Sequence, residues 1–239
     1  MKLAITLILS VSTSIALGSR VDTVTTPNGK PVAIHFIGHG SLMFEYNNET
    51  IYIDPWSQVA NYENYPKADF IFITHHHADH LDSLALSKIY TKNTKLFWTS
   101  LCEENSNFKQ PATVLKNDDK LNVSTFSVEV VPAYNIVNKR ASGEPFHVKG
   151  DGNGYIFNFD GLKIYVAGDT ENIPEMSELG CIDIAFLPMN LPYTMTPKMV
   201  SEAALIIKPK ILYPYHYGET NTNELKELLN NHPEIEIRL

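Results

Sequence analysis

Five imidazole or carboxylate side chains fall within six consecutive residues, from His75 to His80. Imidazole suits zinc and other borderline metals, and a carboxylate can complete or bridge such a site. In a tight loop His75 and His77 can turn the same way, whereas Asp79 and His80 point elsewhere from the start of a following helix. The motif therefore predicts two adjacent metal ions. A tag or an adventitious metal binder is the alternative, but this run follows an apolar stretch inside the chain.

Three further ionisable residues stand where an apolar run ends. Asp54, Asp169 and His216 each follow a run whose composition predicts a buried strand. One such residue is usually an ordinary strand terminator. Open α/β sheets, however, place their sites at the carboxyl ends of strands, where the loops converge. Together with the histidine motif, these three residues predict a two-metal site assembled from four strand ends.

The elements that must position these side chains follow from hydrophobic patterning. Strands dominate the first half and alternate with helices in the second, which predicts a mixed α/β fold with central sheets and helices outside. Asn47-Asn48 and Asp160-Gly161 predict hairpin turns. The predicted strands are Val32–Ile37, Leu42–Tyr46, Thr50–Asp54, Phe70–Thr74, Lys95–Ser100, Phe126–Pro132, Tyr155–Phe159, Lys163–Ala167, Ile182–Leu187 and Ile211–Tyr213. The predicted helices are Asp82–Tyr90, Lys198–Ile207 and Thr222–Leu229.

The motif His75-x-His77-x-Asp79-His80 resembles the signature of the metallo-β-lactamase fold superfamily. The resemblance extends from Val32 to the C-terminus and includes Asp54, Gly168-Asp169-Thr170 and Tyr215-His216-Tyr217 in the same order. Gly38-His39-Gly40-Ser41 resembles the opening loop of the lactonase-like and N-acyl-phosphatidylethanolamine phospholipase-like branches. The resemblance implies a four-layer αβ/βα sandwich, with two mixed β-sheets flanked by helices.

The resemblance also implies a role for each matching residue. His75 and His77 would bind the first metal, and Asp79, His80 and His216 would bind the second. Asp169 would lie between the metals, and Asp54 would orient the histidine loop. The cofactor expected is zinc, as two divalent ions, with manganese or iron as alternatives. His77 occupies the position that is typically Glu in the iron-dependent, oxygen-reducing branch, which favours zinc and hydrolysis.

The sequence departs from the family pattern at one position. The family supplies a third His to the first metal from a later strand end, and Asn135 stands there instead. Three alternatives follow: Asn135 is a weak ligand, the first site is incomplete, or His147 takes the missing place. His39, at another strand end, is expected to hydrogen-bond a ligand carboxylate and fix its orientation.

The predicted activity is hydrolysis of a small carbonyl substrate (an ester, lactone or amide) by a metal-bound hydroxide. Asp79 is the predicted catalytic residue, because it can orient the water and handle its proton as well as bind metal. The segment 191–195 is predicted either to line the pocket or to be a packed connection. One alternative is a phospholipase-D-like phosphodiesterase, although Lys139-Arg140 is the only basic cluster near the site loops. Another is a non-enzymatic metal- or ligand-binding protein, which the missing third His favours.

Composition and the N-terminus suggest where the protein works. The chain has 239 residues and a formal net charge of -8, so binding to nucleic acid is not expected. Residues 1–18 read as a signal peptide, 19–31 as a loosely held leader and 32–239 as one hydrolase domain. The protein is therefore expected to be exported, periplasmic or secreted, without an integral membrane segment after cleavage. Cys102 and Cys181 could pair, although the apolar run beside Cys181 predicts a small core residue.

Overall fold

A computed structural model describes residues 20–239 of the chain. The predicted signal peptide and its cleavage point lie outside the described residues. Among residues 20–239, no helix is both long and apolar enough to cross a membrane. The elements that follow therefore concern the predicted hydrolase domain and most of the predicted leader.

In the described part of the chain, fourteen strands form two seven-stranded sheets. The first sheet contains β1 (Arg20–Thr25), β2 (Pro31–Gly38), β3 (Ser41–Tyr46), β4 (Glu49–Ile53), β5 (Phe70–Phe72), β6 (Lys95–Trp98) and β7 (Thr113–Val114), in that order. The second contains β8 (Lys120–Asn122), β9 (Ser127–Ala133), β10 (Gly152–Phe159), β11 (Leu162–Val166), β12 (Ile184–Pro188), β13 (Ile211–Tyr215) and β14 (Glu236–Ile237), again as consecutive neighbours. The helices are α1 (Ser83–Ile89), α2 (Ser100–Asn105), α3 (Pro197–Ile207) and α4 (Thr222–Leu228), with two 3₁₀ helices at Tyr62–Asn64 and Pro174–Glu178.

The predicted four-layer sandwich is confirmed by the three buried hydrophobic clusters. The largest cluster lies between the facing sheets and joins Phe44 and Phe72 of the first sheet to Phe157 of the second. A second cluster packs α3 and α4 against the outer face of the second sheet. A third packs α1 and α2 against the outer face of the first sheet. Each sheet is thus covered by the other sheet on one face and by helices on the other.

The predicted loosely held leader is wrong for residues 20–25, which form strand β1. This strand pairs antiparallel with β2 along its whole length. Asp22 accepts a hydrogen bond from the Tyr213 hydroxyl (2.7 Å) and pairs with Arg238. These partners are remote in sequence, so a segment that reads locally as polar is ordered by long-range pairing.

The two cysteines do not form a disulfide. Cys102 is buried on α2 in the cluster of the first sheet, where Thr99 caps the helix N-terminus. Cys181 is exposed, so the expectation that it is a core residue is wrong. Burial of the neighbouring Ile182 and Ile184 begins after Cys181, at the point where the chain enters β12.

Parallel strands bring the predicted site residues to one edge of the sandwich. β4, β5, β6 and β7 run parallel in the first sheet, and β11, β12, β13 and β14 run parallel in the second. The carboxyl ends of β4 and β5 lead into Asp54 and the histidine motif. Those of β11 and β13 lead into Asp169 and His216. The site therefore draws on both sheets.

Candidate metal centre

The histidine loop is fixed from behind by a buried carboxylate. Asp54 is fully buried at the end of β4 and accepts hydrogen bonds from the backbone N–H (2.7 Å) and hydroxyl (2.6 Å) of Thr74. Its Oδ2 also lies 2.8 Å from Nδ1 of His80. Asp54 thus sets both the start of the loop and the orientation of one imidazole in it, as the sequence predicted for this residue.

Three residues at this edge have unusual backbone conformations. His39, Asp54 and His216 all have positive φ angles, near 50°, which cost free energy for residues other than glycine. Gly40 has to be glycine for a different reason. A Cβ there would lie 3.1 Å from the His80 ring and 3.2 Å from the His216 ring. The glycine at position 40 thus allows the close approach of these two imidazoles.

The first cluster consists of three imidazoles. His75 Nε2 lies 3.0 Å from His77 Nδ1, which in turn lies 3.2 Å from His147 Nε2. Donors bound about 2.0–2.1 Å from a tetrahedral ion are about 3.3 Å apart, so one ion fits among these three nitrogens. Of the three alternatives left open at Asn135, the structure favours substitution by His147.

Asn135 lies behind His147 and holds its ring. The side-chain oxygen of Asn135, Oδ1, accepts hydrogen bonds from the backbone N–H (2.9 Å) and from Nδ1 (2.6 Å) of His147. Its amide nitrogen donates to Glu171 (3.0 Å) and to the carbonyl of Tyr193 (2.9 Å). With Nδ1 donating to Asn135, the lone pair of His147 is on Nε2, which faces the cluster.

Glu171 is a site residue that sequence reasoning missed. Its carboxylate is fully buried. It accepts hydrogen bonds from the backbone N–H groups of residues 136, 137 and 138 at 2.6–2.8 Å, and a further one from the side-chain amide of Asn135. It therefore fixes the loop that carries Asn135. The only local signal was its position two residues after Asp169, which has no spacing rule attached to it.

Replacing Asn135 with alanine is expected to weaken metal binding at the first cluster about 10- to 100-fold, the usual cost of losing a residue that orients a ligand. The reason is that His147 loses its only fixed partner at Nδ1. Metal competition titrations on Asn135→Ala would measure this. Asn138→Ala is the matched control, because its side chain on the same loop bonds the carbonyl of Thr194 instead. Unchanged affinity in Asn135→Ala would contradict the assigned role.

The second cluster consists of Asp79, His80 and His216. The Nε2 atoms of His80 and His216 are 3.1 Å apart, and Asp79 Oδ2 lies 3.6 Å and 3.4 Å from them. His39 Nε2 is 2.9 Å from the same Asp79 oxygen, and its ring centroid lies 3.8 Å from that of His216, with the two rings tilted by 41°. His39 thus contacts the Asp79 carboxylate, as predicted, and with Asp79 and His216 it also forms a group that could hold an ion.

Asp169 lies between the two clusters. Its Oδ2 is 3.3 Å from His147 Nε2 and 3.9 Å from His75 Nε2, on the side of the first cluster. Its Oδ1 is 3.6 Å from Nε2 of both His80 and His216, on the side of the second. Oδ1 is buried without a hydrogen-bond partner among the described residues. An orphaned carboxylate oxygen facing two imidazole nitrogens fits a bound cation.

The remaining imidazoles are also oriented by partners on the side away from the clusters. The Nδ1 atom of His75 lies 3.0 Å from the Thr74 hydroxyl. His216 Nδ1 lies 3.3 Å from the side-chain amide nitrogen of Asn190, which is a donor, so this contact does not give Nδ1 an acceptor. With His80 on Asp54 and His147 on Asn135, three of the five clustered imidazoles have Nδ1 beside an acceptor and Nε2 directed inward. Such outer partners fix the tautomer that a metal requires.

The protonation states suit metal binding. Burial, and then the charge of His80, holds the pKa of His75 well below its usual value, and burial with His147 lowers that of His77 to about 4. Both imidazoles are therefore neutral at pH 7. Burial alone would raise the pKa of Asp169, but His216 and His80 outweigh it and keep the carboxyl ionised.

The second cluster carries its own positive charge when no metal is bound. Burial alone would lower the pKa of His80, but Asp169 and Asp54 outweigh it and raise the pKa to about 10. Hydrogen bonds from His216 and His39 likewise overcome burial and hold the pKa of Asp79 far below its usual value. Buried carboxylates thus require a cation here, and a divalent ion would replace the proton on His80.

A cavity of about 480 Å³ opens onto both clusters. Its volume suits a small molecule. Outside the clusters, the cavity is lined by His39, Trp56, Ala78, Arg140, Phe146, Asn190 and Tyr193. Of the segment 191–195, Tyr193 reaches the cavity, whereas Thr194 and Met195 are buried. The segment thus serves partly as a wall and partly as a packed connection.

Comparison with known proteins agrees with this architecture. A family model described as a β-lactamase superfamily domain matches residues 33–216. The chain therefore belongs to the β-lactamase superfamily, and the resemblance seen in its motifs is confirmed. The solved structure of Igni18, a metallo hydrolase of Ignicoccus hospitalis, superimposes with a TM-score of 0.71 at 23% identity over 87% of this chain and 94% of that one, which supports the fold alone.

Nearer relatives define the family within the superfamily. A UPF0173 metal-dependent hydrolase of Thermococcus onnurineus is 30% identical over 224 residues, covering 86% of this chain and 96% of that protein. The crystal structure of a Parabacteroides distasonis protein assigned as a metal-dependent hydrolase is 45% identical, with a TM-score of 0.86 over 92% of this chain and 97% of that one. The chain is accordingly a member of the UPF0173 metal-dependent hydrolases. The lactonase-like or phospholipase-like branch stays a prediction.

Proposed function

We propose that this protein hydrolyses a small carbonyl substrate, an ester, lactone or amide, with two divalent ions. The observation that carries the proposal is the position of Asp169, whose two oxygens face different clusters while Oδ1 has no hydrogen-bond partner among residues 20–239. His75, His77 and His147 would hold one ion. Asp79, His80 and His216 would hold the other, and Asp169 would contact both. The all-imidazole first cluster and the mixed second one suit zinc, with manganese and iron as alternatives.

Divalent ions bound there would lower the pKa of a coordinated water toward neutrality and stabilise the oxyanion that forms from the substrate carbonyl. The protein itself holds the metal-binding imidazoles in the required tautomers and forms the walls of the cavity. Three side chains accept a hydrogen bond from the Nδ1 atom of an imidazole and so fix its tautomer: Asn135 for His147, Asp54 for His80 and Thr74 for His75. Trp56, Phe146 and Tyr193 form apolar walls that limit water in the cavity.

Asp79 is proposed to orient the attacking water and take its proton. Its side chain is about one third exposed (32%), so it reaches the cavity as well as the cluster. It is ionised at neutral pH and can therefore accept a hydrogen bond. His39 Nε2 lies 2.9 Å from Asp79 Oδ2 and, as a donor, helps to fix the orientation of the carboxylate.

Two alternatives, a non-enzymatic binding protein and a phosphodiesterase, are less well supported by the residues around the site. The non-enzymatic alternative rested on Asn135, and His147 lies where a third ligand of the first cluster is needed. A phosphodiesterase would need basic groups beside the reacting phosphoryl group. Arg140 lines the cavity, but it faces the outer nitrogen of His77 rather than Asp169.

Removal of metal is the direct test of the proposed function. Zinc-loaded protein is expected to hydrolyse at least one member of a panel of lactone, aryl ester, amide, thioester and phosphodiester substrates. After thorough chelation this turnover should fall to background, and it should return on adding zinc. Circular dichroism of the chelated sample controls for unfolding. Full turnover in a folded, thoroughly chelated sample would disprove the proposal.

A further inference from the structure

Among residues 20–239, Arg140 is the one arginine without an acidic partner. The chain has three arginines, all within residues 20–239, and Arg20 and Arg238 both pair with carboxylates. Arg140 forms no salt bridge with any described residue, although the chain has an excess of acidic groups. It lies instead at the wall of the cavity that opens onto the two clusters.

The guanidinium of Arg140 is held in place by its own loop. It lies over the Phe146 ring, 5.1 Å from the centroid, and Nη2 donates to the Phe146 carbonyl at 3.3 Å. The loop is closed by a bridge between Lys139 and Pro145 and by the bond from Arg140 N–H to the Glu144 carbonyl (2.7 Å). Phe146 is supported in turn by the Tyr193 ring, at 5.1 Å. The cation is thus positioned before any ligand arrives, which lowers the entropic cost of binding one.

Arg140 and His77 together present two donors to the same space. Arg140 Nη2 lies 3.3 Å from His77 Nε2. If Nδ1 of His77 offers its lone pair to the first cluster, Nε2 must carry the proton, and arginine can only donate. Neither group can therefore accept a hydrogen bond from the other. An acceptor placed between them would satisfy both, and a negatively charged one would also neutralise Arg140.

We infer that the substrate carries an anionic oxygen group, a carboxylate or a phosphate, which binds between the Arg140 guanidinium and Nε2–H of His77. This inference rests on the proposed function, because it requires His77 to face a metal through Nδ1. The anionic group is not the reacting group: it lies on the outer side of the His77 ring, while the clusters and Asp169 lie on the inner side. Arg140 therefore determines specificity and positions the scissile bond over the metals.

Calorimetry on the zinc-loaded protein tests the inference without turnover. Glutarate and inorganic phosphate serve as charged probes, and glutaramide serves as the uncharged analogue of glutarate. We expect glutarate or phosphate to bind, glutaramide to bind at least tenfold more weakly, and Arg140→Ala to lose about tenfold or more in affinity for the charged probe. Lys139→Ala, which removes the neighbouring cation on the same loop, should change affinity less than twofold.

Kinetics then separate the two sources of the anion. The substrates are 4-nitrophenyl butyrate, mono-4-nitrophenyl glutarate and 4-nitrophenyl 3-phosphonopropionate, which carry no charge, a carboxylate and a phosphonate. Arg140→Ala should raise KM at least tenfold for one of the charged esters and leave the neutral ester within twofold. The ester with the larger loss identifies the group. Arg140→Lys should recover part of the loss, because it restores charge without the planar fork.

Failure of the inference and failure of the proposed function give different results. If Arg140→Ala binds glutarate and phosphate as tightly as wild type, or if glutaramide binds equally well, the inference is overturned. Metal-dependent hydrolysis of the neutral ester could still stand in that case. If Arg140 governs anion affinity but chelated protein remains fully active, the anion site stands and the proposed function fails.

Discussion

Asp79→Asn is expected to reduce turnover about 10²- to 10⁴-fold, the range typical for loss of a positioned general base. Asparagine preserves the shape of the side chain but cannot take a proton, and it removes one negative charge from the second cluster. His39 and His216 both approach the Asp79 carboxylate, so the substitution also weakens the orientation of that oxygen. The measurement is kcat of the zinc-loaded variant on the best substrate of the panel, with metal content recorded in parallel.

Metal content separates the two effects of Asp79→Asn. A variant that retains two ions and loses turnover identifies the carboxylate as the proton acceptor. A variant that loses one ion identifies it chiefly as a ligand. Asp151→Asn is the matched control, because Asp151 lines the neighbouring cavity beside His76 and belongs to neither cluster. Wild-type turnover in Asp79→Asn would refute its catalytic role.

His147→Ala is expected to reduce the metal content from two ions to one and to abolish most turnover. The first cluster would keep only two imidazoles, those of His75 and His77, and a zinc site with an open position normally has three protein ligands of good geometry. Asp169 is a poor replacement for the third, because its Oδ2 lies 3.9 Å from His75 Nε2 and its other oxygen faces the second cluster. The loss in affinity should exceed the 10- to 100-fold expected for Asn135→Ala, because the ligand itself is removed. Equilibrium dialysis against zinc, followed by metal analysis, measures the number of ions bound per chain.

His76→Ala provides the control for His147→Ala. His76 stands within the motif, yet it belongs to neither cluster and its ring centroid is 6.5 Å from that of His75. Its removal should leave two ions bound. If His147→Ala also retains two ions with wild-type affinity, the assignment of the third ligand is wrong. The first site would then rest on Asn135 or be incomplete, as the sequence alone allowed.

The fold and most of the site were predictable because they depend on local signals. The apolar runs before Asp54, Asp169 and His216 predict strands, and parallel strands bring their carboxyl ends together. The motif from His75 to His80 is contiguous, so its loop can be read directly. Asp54 behind the loop and His39 beside the Asp79 carboxylate lie where the motifs predicted them.

The rest depends on contacts between residues distant in sequence. Asn135 and His147 are 12 residues apart and meet only because β9 and β10 pair antiparallel around their loop. The role of Glu171 follows from the path of the loop at 136–138, which no spacing rule reveals. Strand β1 also depends on residues distant in sequence. It pairs with β2, and its Asp22 accepts a hydrogen bond from Tyr213 on β13 of the second sheet.

The most direct test of the two-ion account is the metal content of the wild-type protein. Tag-free protein, equilibrated with zinc and passed through a desalting column, would be examined by plasma mass spectrometry and quantified by amino-acid analysis. The geometry of the two clusters and of Asp169 predicts two ions per chain. A chain that retains none, or a single ion that is unaffected by His147→Ala, would contradict it.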